Sequence, residues 1–222
     1  MKRTAILAAA LCLGAVARAQ QPAAYPKDIH SDSRNRLPLV ARTSLDHLGR
    51  SLFDKIDADF RSGRSLAGFQ GPNGIELYSP PLAQADFRKA DYLRFESPVG
   101  RRLYEIAILT TAREWNQQFE WAAHEPAARA AGVDQLIIDI IRNRRPLDGL
   151  QPKDAAIIQM GREAVGQHAV QPATFAKALE ALGARNMVDI VATMGQYTSY
   201  AVLLDVLDQR LTPGQASGLP AR

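Results

Sequence analysis

Residues 103–133 read LYEIAILTTAREWNQQFEWAAHEPAARAAGV, and this stretch decides the architecture. Leu103, Ile106, Ala107, Leu109 and Thr110 recur at three- and four-residue steps. That spacing makes a helix with one small-residue apolar face, opened by Pro98. A second helix follows over 117–131 and stops at Gly132, a residue suited to the left-handed turn that ends helices. Neither half alternates with a period of two, so neither reads as a strand. The two helices are placed to pack as an antiparallel hairpin.

Working outward, the same periodicity continues. Thr43 and Asp46 have capping-box spacing, and Leu45, Leu48, Leu52, Ile56 and Phe60 then form an apolar stripe. Residues 61–78 contain Gly63, Gly68, Gly71 and Gly74 and read as an irregular loop. It is no phosphate cradle, because no strand precedes it and no Gly-Lys-Ser/Thr follows. Ser79-Pro80 starts a helix with a capping hydroxyl and a first-turn proline. Helices follow over 134–143, 152–168, 172–182 and 185–210. The last has a wide apolar arc with Gly195 in its middle, where glycine costs about 1 kcal/mol unless something packs closely. These features predict an all-α domain of about eight helices over 40–211, and a homo-oligomer.

The chain ends read differently. Lys2 and Arg3, an apolar run and Ala17-Arg18-Ala19 make residues 1–19 a secretory signal peptide, and the protein is expected in the periplasm or secreted. Its removal leaves 203 residues and takes the formal charge from +4 to +1, since Lys2, Arg3 and Arg18 leave. The basic balance therefore belongs largely to the leader, which weakens any case for nucleic acid. Cys12, the single cysteine, also leaves, so disulfides, thiol nucleophiles and zinc–thiolate sites are excluded from the mature chain. No later apolar run approaches the roughly 20 residues that span a membrane. Residues 20–39 read as an extended N-terminal arm and 212–222 as a flexible tail.

The chemistry sits in the opening stretch. Glu105 lies among apolar residues, and a buried carboxylate without a partner costs several kcal/mol or takes up a proton. Gln117, Glu120 and His124 are three and four residues apart, so they point from one helix face. A hairpin would bring Glu105 to Glu120 and His124, giving two carboxylates and an imidazole with perturbed proton affinities. A surface Glu–His pair is the plainer reading of that spacing. A metal held by the same three is a further one, acceptable in ligand type but with no specified geometry. His30, His47 and His168 read as structural or exposed. Arg142, Arg144 and Arg145 read as compensation for a helix dipole.

The spacing resembles the carboxymuconolactone decarboxylase-like family, which shares its fold with alkylhydroperoxidase D-like proteins. The redox pattern Glu-x11-Cys-x2-Cys-x3-His falls on Glu105, Gln117, Glu120 and His124, with both cysteine positions replaced. The decarboxylase-like branch resembles Phe119-Glu120-Trp121-x-x-His124 and Ala128-Arg129-x-Ala131-Gly132-Val133, within a similarity running over about 38–209. The resemblance implies a helical bundle, a trimer or hexamer with its site near an interface, and no cofactor. It also implies acid/base lyase chemistry on a small anionic lactone or oxo-acid rather than thiol peroxidase activity. In that reading Glu105, Glu120 and His124 are catalytic, Arg113 holds the substrate carboxylate, and Gln117, Trp121 and Tyr197 line the cavity. A non-catalytic small-molecule binding protein is the alternative.

Overall fold

The computed structural model describes residues 25–216 and 218–220; the 1–19 leader and residues 20–24 of the arm lie outside the described residues. Helix α1, His47–Arg61, opens at Asp46, whose carboxylate accepts a hydrogen bond from the Gly49 N–H at 2.7 Å. Thr43 does not cap it. Thr43 lies in a 3₁₀ turn, Arg42–Ser44, which places Asp46 as the side chain next to the helix's first free N–H groups. The stripe of α1 buries Leu52 and Ile56, but Phe60 at its end is half exposed.

The loop expected over 61–78 contains a short helix, α2, Pro72–Glu76, with Ile75, Glu76 and the following Leu77 buried. Gly71 makes this possible. Its φ of 73° turns the chain into Pro72, and the Phe119 ring occupies the place a Cβ would take. Helix α3, Pro80–Asp91, begins at its proline without a hydrogen bond from the Ser79 hydroxyl, and a π-helical turn, Tyr92–Glu96, continues it.

Helix α4, Arg101–Glu114, starts after Gly100 rather than at Pro98 and is buried without interruption from Tyr104 to Ala112. Such all-round burial marks a central helix. It packs against α5 (Gln118–Ala130), α6 (Gln135–Arg142), α7 (Pro152–Gly161, continued by a π-helical turn, Arg162–Gln167) and α8 (Pro172–Val206). Helix α8 breaks at Gly183 (φ 73°), so the two helices expected there form one interrupted element. Among the described residues there are eight α-helices and no strand, only an isolated bridge between His30 and Asn35. The main core joins Ile106, Leu109, Trp121, Ile138, Ile157 and Ile190, and a separate group of Leu93, Tyr104, Ile108, Tyr197 and Tyr200 lies where α4 meets α8. On the outer side of α8, a Cβ at Gly195 would meet nothing of this chain within 4 Å.

The described parts of the expected arm and tail make specific contacts with the helices. The described part of the arm docks on the end of α8: the Arg36 N–H donates to the Leu207 carbonyl, and the Arg210 N–H to the Arg34 carbonyl. Asn35, nearly fully buried, donates to the Gln209 side chain at 2.9 Å. In the expected tail, Leu219 is buried in the main core and the Pro220 carbonyl accepts from Gln118. Polar and turn-forming residues conceal this docking from a hydropathy reading, because their contribution is to backbone groups rather than to apolar area.

Candidate active site

The hairpin of α4 and α5 brings Glu105 and His124 together. His124 Nδ1 stands 2.8 Å from Glu105 Oε2, with both side chains buried. One turn before Glu105, Arg101 brings Nη2 within 2.7 Å of Glu105 Oε1. That contact is a charge pair rather than an aligned hydrogen bond, since Glu105 Oε1 and Arg101 Nη1 each lack a hydrogen-bond partner. On the other side of the ring, His124 Nε2 lies 3.6 Å from Glu120 Oε2 and 3.1 Å from the Tyr197 hydroxyl. Tyr197 meets the imidazole edge-on, and its hydroxyl is 3.3 Å from that of Tyr104. The result is a continuous polar line, Arg101–Glu105–His124–Tyr197–Tyr104, across three helix segments.

The two carboxyls differ because their surroundings differ. Burial pushes Glu105 up, but His124, Arg101 and Arg94 outweigh it and hold the group below the usual carboxylate range. Ionised Glu105 can only accept, so the His124 Nδ1 carries a proton. Glu120 has no such cations. Burial raises it to about 7, only partly opposed by His124 and reinforced by Glu105. Burial also holds the Tyr104 phenol up at about 12 and that of Tyr197 well above its ordinary value, so both stay protonated. An ionised carboxylate, a histidine and a carboxyl near neutrality in one buried space are what proton transfer at ordinary pH requires.

Glu120, His124, Tyr104 and Tyr197 line a cavity of about 100 Å³ together with Pro72 and Asn73 of α2. A larger groove, about 720 Å³, runs between α7 and the first half of α8. Its polar lining is Gln159, Arg162, Thr174, Lys177 and Glu180, with no imidazole, so the chemistry is assigned to the smaller space. Among the described residues no group of three or more histidine, cysteine or acidic side chains is arranged to hold a metal. His30, His47 and His168 are exposed.

Three expected lining residues stand elsewhere. Arg113 lies eight residues beyond Glu105, about 12 Å along the helix, and donates to the Arg142 carbonyl. Gln117 caps α5: its side-chain oxygen accepts from the Phe119 N–H, and its amide donates to Asp205 of α8. Trp121 is fully buried in the core, its indole N–H donating to Glu125 at 2.6 Å. The cavity's cation is Arg94, in the π-helical turn after α3. Arg142 and Arg144 are held by Glu125, Asp139 and Glu114 rather than left to the helix dipole.

The fold that carries this site has a structural counterpart. The chain is similar to the alkylhydroperoxidase AhpD core of an uncharacterized peroxidase-related protein from Ralstonia eutropha JMP134, with a TM-score of 0.64 at 16% identity, over 84% of this chain and 98% of that one. The chain has the alkylhydroperoxidase D-like fold. No protein-family model matches the sequence, and no curated protein does. Of the two positions where the sequence spacing would place the redox pattern's cysteines, Gln117 braces the start of α5 and Glu120 lines the cavity.

Proposed function

We propose that the protein is an acid/base lyase acting on a small anionic oxo-acid or lactone in the His124 cavity. One observation carries this reading: a buried imidazole with an ionised carboxylate on one nitrogen, and a carboxyl poised near neutrality on the cavity side of the other. In the reaction a carbon–carboxylate or carbon–hydrogen bond breaks, releasing carbon dioxide or giving a proton to the site. The electron pair moves onto the neighbouring carbonyl oxygen as an enolate. His124, protonated at Nε2, stabilises that charge and passes its proton to carbon; Glu120 returns a proton to His124 and recovers its own from water or from the substrate. Glu105 keeps the ring oriented throughout, accepting from Nδ1 while Nε2 gives and regains its proton.

The sequence argues against thiol peroxidase chemistry, because its single cysteine, Cys12, belongs to the expected leader and the cysteine positions of the redox pattern hold Gln117 and Glu120. The test is His124→Gln, compared with the parent for thermal stability and for turnover over a panel of oxo-acids and lactones. Turnover in the parent that disappears in a variant of unchanged melting supports the lyase. A parent that retains a ligand tightly and converts nothing is a binding protein. Robust peroxide consumption with a dithiol reductant overturns the proposal.

A further inference from the structure

Among the described residues Arg94 lines the cavity without an ion pair of its own, although its charge, from farther off than that of Arg101, helps hold Glu105 ionised. It lines both the inner cavity beside Tyr104, Glu120 and His124 and an outer cleft of about 80 Å³. The other cations nearby are neutralised. Arg101 is paired with Glu105, while Lys55 and Arg64 of the outer cleft share Asp59 and Asp91. Arg94 has no ion pair among the described residues, and its Nε is buried without a hydrogen-bond partner. Its guanidinium stacks 5.2 Å from the Phe95 ring centroid, in a small basic cluster with Arg64 and Arg101 around the same ring. A buried unmet donor costs about 1–3 kcal/mol, more on a charged group; Arg94 is half-buried and its Nε is in that state at the wall of the cavity, so an acceptor there would satisfy it.

We propose that Arg94 is the carboxylate anchor of the site, and that the ligand is a small oxo-monocarboxylate of about three or four carbons. The inference rests on the acid/base reading for the chemistry but not for the binding. Size favours a small acid: the cavity beside His124 measures about 100 Å³. Charge decides which bond reacts. A guanidinium stabilises the carboxylate it holds, so the anchored carboxylate is retained. The bond that breaks lies at the neighbouring carbon, near His124 Nε2. For a monoacid that bond is C–H: the carbon's proton goes to ionised Glu120, the electron pair becomes an enolate on the oxo group, His124 gives a proton back to the carbon, and Glu120 passes the abstracted proton to His124 to restore the site.

The experiment measures binding without turnover, using pyruvate and its neutral amide, pyruvamide, titrated calorimetrically into the parent chain, Arg94→Gln, Arg94→Lys and Arg64→Gln. Pyruvate is expected to bind the parent and to bind Arg94→Gln about tenfold or more weakly. Arg94→Lys should fall between them and Arg64→Gln within about twofold of the parent; pyruvamide should bind the parent as poorly as pyruvate binds Arg94→Gln. Equal binding of acid and amide by the parent, undiminished binding by Arg94→Gln, or no binding of pyruvate up to about 20 mM overturns the anchor. Should Arg94→Gln not fold, the acid–amide comparison on the parent and the Lys variant decide. Arg94-dependent binding with no turnover of any acid defeats the lyase reading alone. Turnover abolished by His124→Gln but untouched by Arg94→Gln defeats the anchor alone. Deuterium exchange into the carbon next to the oxo group, followed by NMR, reads the C–H step directly.

Discussion

Glu105 Oε2 accepts a 2.8 Å hydrogen bond from the Nδ1 of His124, although the two residues stand 19 positions apart on different helices. Neither group is placed cheaply, since both are buried. The carboxylate survives burial because the imidazole on one side and Arg101 on the other supply positive charge. The imidazole is in turn fixed in one tautomer by the carboxylate, which leaves Nε2 directed toward Tyr197, Glu120 and the cavity.

Glu105→Gln keeps the shape and removes the charge. His124 then loses the anion that accepts from its Nδ1, and Arg101 is left beside a neutral amide. Breaking one side of a buried pair costs about 3–5 kcal/mol when the remaining charge cannot reach water. Arg101 is about one-third exposed, so a loss of about 2–3 kcal/mol in urea unfolding at pH 7 is expected. Turnover should fall by about 10²-fold or more, the scale of a lost acid/base contribution. A variant as stable and as active as the parent would show that the contact orients nothing.

Glu120 makes stability depend on pH in a definite direction. Its folded-state value, about 7, lies above the ordinary 4.5. A raised carboxyl contributes fully below the unfolded value, and that contribution is lost as pH rises through the folded one. Between pH 5 and 8.5 the parent should therefore lose about 3 kcal/mol relative to Glu120→Gln, which cannot ionise. Urea denaturation of both proteins at the two pH values checks this. A constant difference, or one that grows in favour of the parent with pH, contradicts it.

Tyr197→Phe separates ring packing from the hydroxyl. The phenyl still fills the space between Tyr104 and Tyr200. The hydrogen bond to Nε2 goes, and the Tyr104 hydroxyl loses its neighbour. About 1 kcal/mol of stability should disappear. Turnover should drop by about tenfold and its pH profile should move, because Nε2 no longer has a phenol competing with Glu120 and substrate. An unchanged profile would place Tyr197 in packing alone.

What the sequence disclosed and what it hid follow from range. Glu120 and His124 are one helical turn apart, so their shared face was readable from spacing. Glu105 stood out because a carboxylate interrupted an apolar face. Arg101, four residues before Glu105, obeys the same rule and was within reach of it. Arg113 failed on length, since eight residues carry a side chain about 12 Å along the axis. Gln117 shares the face of Glu120, yet at a helix start its amide turns back to the unpaired backbone N–H groups. Arg94 was beyond reading, because a π-helical turn and the packing of α3 against its neighbours aim it. The helical class was legible throughout from three- and four-residue periodicity. The docking of both chain ends was not, because it runs through backbone hydrogen bonds and the single side chains Asn35 and Leu219.

The α2 wall of the cavity gives the last prediction. Pro72 and Asn73 line the same space as His124, and they follow directly on Gly71, where the chain turns into α2. At φ 73° an alanine is strained by about 1–2 kcal/mol, and its methyl would overlap the Phe119 ring. Phe119 is buried and lines the cavity beside Glu120, so making room for the methyl displaces a packed ring. Gly71→Ala should therefore cost about 2–4 kcal/mol in thermal or urea unfolding and weaken binding of small acids, as the ring or α2 shifts. Gly63→Ala provides the comparison. Gly63 also has a positive φ, 75°, but a Cβ there meets nothing within 4 Å. Its substitution should cost only the strain and leave binding unchanged. Equal effects at the two glycines would mean that the contact between Gly71 and Phe119 does not shape the cavity.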